Sequence, residues 1–134
     1  MSRGLIAVSL VLSIGLAGCG FMPGAAPGLY ATEWKAVLVA GRQPLAGREP
    51  TLKFARDTLT GSGGCNHLSG KYKVEGDRIA ITELGANLAG CPAPAGEIEG
   101  LFLNALARAE AFRSDGGNLV ITGAGGEIGL RPDP

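Results

Sequence analysis

The stretch Lys71-Tyr72-Lys73-Val74-Glu75-Gly76-Asp77-Arg78-Ile79-Ala80-Ile81 (residues 71–81) decides the fold class. Tyr72 and Val74 alternate with Lys71, Lys73 and Glu75, and Ile79 and Ile81 resume the alternation beyond Gly76-Asp77. Side chains on a strand point to opposite faces with period two, so this is a pair of half-buried antiparallel strands joined by a tight turn.

The same pattern recurs on both sides. Upstream, Trp34 to Ala40 reads as a first strand, with the globular part opening near Thr32. Leu52 and Phe54 alternate with Thr51 and Lys53, and Asp57 marks a turn before Thr58-Leu59-Thr60. Downstream, Leu119 and Ile121 form one run, the Gly123–Gly126 stretch a turn, and Ile128 and Leu130 another run. About seven or eight such strands predict a mainly β (α+β) chain, a small antiparallel β-barrel-like sheet. One segment changes period. Ile98, Leu101, Phe102, Ala105, Leu106 and Ala109 form a single helical stripe, preceded by Pro92 and Pro94. Glu97 and Glu99 near its start and Arg108 near its end suit the helix dipole. This one amphipathic helix is expected to plug an end or side of the sheet.

The chain begins with a basic head at Arg3, an apolar run from Gly4 to Gly15 and small residues up to Cys19. That order reads as a secretory signal over residues 1–18 rather than a membrane span. Leu16-Ala17-Gly18-Cys19 is similar to a bacterial lipobox, which implies lipid on Cys19 and anchoring to a membrane. Gly20 after the cysteine favours, by resemblance to envelope sorting signals, a periplasm-facing place on the outer membrane. Residues 19–31, rich in Gly, Pro and Ala, read as a flexible tether, and residues 32–132 as the domain.

Charge excludes one class of partner. The 134 residues carry 12 basic and 12 acidic side chains, which gives no electrostatic case for nucleic acid. Gly61-Ser62-Gly63-Gly64 and Gly123–Gly126 lack the spacing and the following helix of a phosphate loop, so both read as turns and no cofactor is expected.

With Cys19 assigned to lipid, Cys65 and Cys91 remain as an even pair in an oxidising compartment. A disulfide is the favoured reading, with free thiols or a metal pair as alternatives. With one histidine and no Cys-x-x-Cys spacing, zinc lacks ligands and no metal is expected. On a strand, Cys65 and His67 would share a face, so a Cys-His dyad is geometrically conceivable. A bridged cysteine is no nucleophile, however, and the chain reads as non-catalytic.

Gly64-Cys65-Asn66, then Ser69-Gly70 and Tyr72, resembles the signature of the META domain family, HslJ-like bacterial proteins included. Trp34, Leu52-x-Phe54, Cys91-Pro92 and Glu99-x-x-Phe102 agree with it in order along the chain. The resemblance implies a small barrel-like sheet with one helix, an envelope protein linked to stress or antibiotic tolerance, and no established catalytic residues. The motif residues Trp34, Gly64, Asn66, Gly70, Tyr72, Glu99 and Phe102 are expected to be structural. Asn66 can bond its own or neighbouring backbone and tolerates positive φ, whereas Gly64 and Gly70 suit a bulge or close backbone approach. Tyr72 is expected to enter the core. The expected role is binding, to an envelope protein partner. The alternative is a lipocalin-like barrel whose interior, lined by residues such as Phe54, Tyr72 and Ile81, holds a small apolar ligand.

Overall fold

In the computed structural model, the described residues are 29–30, 32–87 and 89–134. The expected signal at residues 1–18, the lipidation at Cys19 and tether residues 20–28 lie outside them. Eight strands follow in chain order: β1 (Glu33–Val39), β2 (Thr51–Phe54), β3 (Thr58–Ser62), β4 (His67–Glu75), β5 (Arg78–Ala86), β6 (Ala109–Asp115), β7 (Asn118–Gly123) and β8 (Ile128–Pro132). Among the described residues there is one helix, α1 (Ala95–Ala107), between β5 and β6. Each strand pairs antiparallel with the next, and β8 returns to β1 to close a barrel.

The period-two residues deliver the core. Trp34, Ala36 and Val39 of β1, Leu52 and Phe54 of β2, Leu59, Leu68, Ile79 and Ile81 all turn inward and are buried. Phe112, Leu119, Ile121, Ile128 and Leu130 complete the ring. Bulges add a residue to β1 between Ala36 and Leu38, to β5 between Thr82 and Gly85 (opposite Ser69 and Lys71), and to β6 between Ala109 and Ala111. Each adds twist where a small sheet must curve enough to meet itself.

Up-and-down topology fixes which loops share an end. The connections after β1, β3, β5 and β7 lie at one end, and the β2–β3, β4–β5 and β6–β7 turns lie at the other. Because α1 belongs to the β5–β6 connection, it caps the first end. Ile98, Phe102, Ala105 and Leu106 point from it into the core. Gly125 in the β7–β8 turn lies so close to α1 that an added Cβ would sit 2.7 Å from Ala105 Cα. At the opposite end Leu29 is buried in the same core, and Tyr30 bridges to Phe54. The folded region therefore takes in two residues that the sequence assigns to the tether.

Three expectations are corrected. The helix stripe stops at Ala107, because Ala109 pairs with Gly123 as the start of β6, and the missing Cβ of Gly123 lets its backbone approach Arg108. Sequence reading missed β6, whose alanines hide the alternation. Gly61-Ser62 is strand rather than turn: Gly61 faces Leu52, and a Cβ there would collide with the Thr51 carbonyl. Closure is also uneven. β4 and β5 share seven registered pairs, whereas β5 and β6 share one, Arg78 with Ala111.

A candidate functional site on the Cys65–Asn66 loop and the opposite mouth

At the capped end, the β3–β4 loop (residues 63–66) meets the β5–α1 connection. Cys65 and Cys91 are joined by a disulfide with their Cα atoms 6.0 Å apart. Asn66, buried, reaches the same connection: its Nδ2 donates to the Ala89 carbonyl at 3.2 Å, and its Oδ1 accepts from the Ala89 N–H at 3.1 Å. The side-chain amide thus imitates a backbone strand pair. The expectation that Asn66 bonds its own neighbours is corrected, since its partners lie 23 and 33 residues away.

Glu99 is the second buried polar residue and completes this lock. Its Oε2 accepts from the Cys65 N–H at 3.0 Å and from the Asn66 N–H at 2.7 Å, and its Oε1 accepts from Asn66 Nδ2 at 2.5 Å. Desolvating a carboxylate is costly unless donors surround it, and here three N–H groups do so. Glu99 therefore serves the loop, not the helix dipole. Room for it comes from Gly63, where a Cβ would lie 2.4 Å from Glu99 Cγ. Gly64 takes φ +108°, and a Cβ on it would sit 2.6 Å from the Arg48 carbonyl oxygen.

The motif residues fall into groups. Gly64, Cys65, Asn66, Cys91 and Glu99 converge on this lock, and Phe102, fully buried one helical turn below Glu99, joins α1 to the core. Gly70 lies on β4 opposite the β5 bulge, 3.3 Å from the Thr82 carbonyl by its would-be Cβ. Trp34 and Tyr72 lie apart from the lock. Trp34 is buried in the core, and its indole Nε1 has no hydrogen-bond partner among the described residues. Cys65 lies in the loop and not on a strand, so the premise of a Cys-His face does not hold, and His67 is exposed. Among the described residues, no three His, Cys, Asp or Glu side chains converge as metal ligands would.

Toward the opposite mouth, Tyr72 is only half-buried. Its ring meets Phe54 edge-on at 5.0 Å, and its hydroxyl donates to the Ala55 carbonyl. Burial, then the nearby Asp57 carboxylate and Tyr30, hold its phenol above the usual tyrosine range. Tyr72 also walls a surface pocket of about 570 Å³ with Leu29, Tyr30, Arg56, Asp57 and Val74. Phe54 and Ile81 do not line it; they pack inside the barrel with the rest of the core. Tyr30 is 60% exposed at its edge. The pocket combines two phenol rings and aliphatic walls with a charged rim. Sequence reading missed Glu99 as a buried ligand of the loop, and the pocket as a whole.

A model of the META domain matches residues 27–131. Two solved structures share the architecture. One, an NMR structure of a protein from Burkholderia xenovorans, is 21% identical over 99% of both chains with a TM-score of 0.65. The other, also an NMR structure, is 18% identical, with 82% of this chain and 93% of that one covered and a TM-score of 0.65. At these identities they show the fold alone. No curated protein matches the chain.

Proposed function

The chain belongs to the META domain family, and from that premise we propose that it is a lipid-anchored, non-catalytic binding module of the cell envelope. Cys19 carries the lipid, the Gly/Pro/Ala segment after it is the tether, and the barrel faces the periplasm from the outer membrane. A role in stress or antibiotic tolerance accords with the family resemblance. The observation that carries the binding reading is the mouth pocket. It joins the exposed Tyr30 to Tyr72, Leu29 and Val74 at the place where the chain enters the barrel. Tyrosines present large apolar area with little conformational freedom to lose, the usual material of contact surfaces.

Two experiments test this. Metabolic labelling with a fatty acid should mark the full chain and fail in Cys19→Ala; persistence of label would refute the anchor. A photo-reactive side chain in place of Tyr30 should capture an envelope protein that the same group at exposed Lys53 does not. Equal capture at both positions would refute a binding role for this mouth.

A further inference from the structure

The disulfide is one of three links that hold the β3–β4 loop to the β5–α1 connection and α1, and the other two are polar. Asn66 holds Ala89 by two hydrogen bonds, and Glu99 holds the amides of Cys65 and Asn66. Neither depends on the sulfur–sulfur bond. Both cysteines are half-buried rather than sealed in the core, and Ala89, Gly90 and Pro92 beside Cys91 are exposed.

The two sulfurs are not equivalent. Arg48 Nη1 lies 3.6 Å from Cys65 Sγ. The backbones also meet here: the absent side chain of Gly64 lets the Arg48 carbonyl rest against it, one residue before Cys65. The other charges at this corner are otherwise engaged. The Glu99 oxygens face three N–H donors, and Glu97 in the first turn of α1 pairs with Arg42 at 3.1 Å. The N-terminus of α1 favours negative charge on the Cys91 side, but Glu97 stands there already. Among the described residues, the positive charge in contact with a sulfur is that of Arg48, on Cys65.

We propose that Cys65–Cys91 is a reversible thiol–disulfide exchange site for small thiols, opened by attack on Cys91 with Cys65 as the leaving thiolate beside Arg48. An incoming thiolate forms a bond to Cys91 Sγ, the bridge breaks, and its electron pair stays on Cys65 Sγ. A second thiol attacking the mixed disulfide releases the oxidised small disulfide and leaves the protein as a dithiol. In the reverse direction, Cys65 thiolate attacks Cys91 Sγ of the mixed disulfide and expels the small thiolate. A thiolate stabilised by a neighbouring cation leaves faster, which gives the exchange its direction. Throughout, the Asn66–Ala89 pair and the Glu99 bonds keep the two sulfurs near each other, so closure is effectively intramolecular. This site stands independently of the anchor and of the mouth pocket.

The test uses the full chain carrying Cys19→Ser, so that only the bridged pair reacts. Oxidised protein is exposed to limiting glutathione, quenched in acid and mapped by peptide mass. The adduct should fall on Cys91, several-fold over Cys65. Arg48→Gln, an exposed substitution, should slow opening roughly three- to ten-fold and even out the two adducts, with Arg48→Lys between. The reduced chain should keep the buried fluorescence of Trp34 and reoxidise at a rate independent of protein concentration. Adducts in equal amounts or mainly on Cys65, unchanged opening in Arg48→Gln, or loss of the Trp34 signal on reduction would each overturn the proposal.

Discussion

Glu99→Gln is nearly isosteric, so it isolates what the carboxylate does in the lock. In the native arrangement both oxygens accept: Oε2 from two backbone N–H groups and Oε1 from Asn66 Nδ2. A glutamine must turn its NH2 toward one of these donors. If it faces the Asn66 side chain, two donors oppose each other. If Asn66 then flips, its Nδ2 meets the Ala89 N–H and its Oδ1 meets the Ala89 carbonyl, which loses both bonds to that residue. No rotamer of the pair satisfies every group. One lost bond with a buried donor left unpaired costs about 1–3 kcal/mol. Glu99→Ala leaves three N–H groups without this acceptor and opens space beside Gly63, for about 3–5 kcal/mol at roughly 1–3 per orphaned donor, the Cys65 amide being partly reachable by water. For a domain of this size each kcal/mol lowers Tm by roughly 4–8 °C. Urea unfolding of the oxidised full chain, followed by Trp34 fluorescence, measures both. If Glu99→Gln stays within about 0.5 kcal/mol of the wild type, the lock is not satisfied as described.

Phe102→Ala, at a side chain with no exposure, should cost about 3–5 kcal/mol in the same assay, and a loss below about 1 kcal/mol would mean that α1 does not close the core. Gly64→Ala meets a positive φ and a contact of 2.6 Å with the Arg48 carbonyl, so about 2 kcal/mol or more should be lost; Gly76→Ala, with positive φ and open space, should lose less, and the reverse order would refute the close-approach argument. Burial and Asp57 raise the Tyr72 phenol above its ordinary value of 10.0, so its contribution is complete below that pH and disappears as pH rises through the folded-state value. Tyr72→Phe should therefore be less stable than wild type at pH 8 by about 1 kcal/mol, for the lost bond to Ala55, and the difference should shrink or reverse near pH 11. A difference constant with pH would contradict the assignment.

The strands were legible wherever burial alternates residue by residue. Leu52, Phe54, Ile79, Ile81, Leu119, Ile121, Ile128 and Leu130 all face the core from the positions their spacing implies. β6 was not legible, because Phe112 is its one buried residue and Ala109 continues the helical stripe by coincidence of spacing. The lock was half legible. Gly64 and Gly70 announce unusual backbone, and the paired cysteines announce a link. The union of Asn66 with Glu99 spans 33 residues, however, and leaves no local pattern. A glutamate five residues into a helix looks, in sequence, like any exposed acid. The one available signal was its place on the helix: Glu99 adjoins Ile98 and precedes Phe102 by three, which sets it at the border of the apolar stripe rather than opposite it.

The single registered pair between β5 and β6 changes how the barrel should be pictured. Unrolled at that seam, it becomes a ribbon in the order β6, β7, β8, β1, β2, β3, β4, β5. The first and last strands meet inside this ribbon, where five pairs join β1 to β8 and the Asp133 N–H donates to the Glu33 carbonyl at 2.7 Å. The junction most remote in sequence is thus held by five pairs, whereas the one with a single pair is spanned by a helix. Of all the strand pairs in the barrel, β1–β8 spans the longest stretch of chain and so carries the largest loop-closure cost.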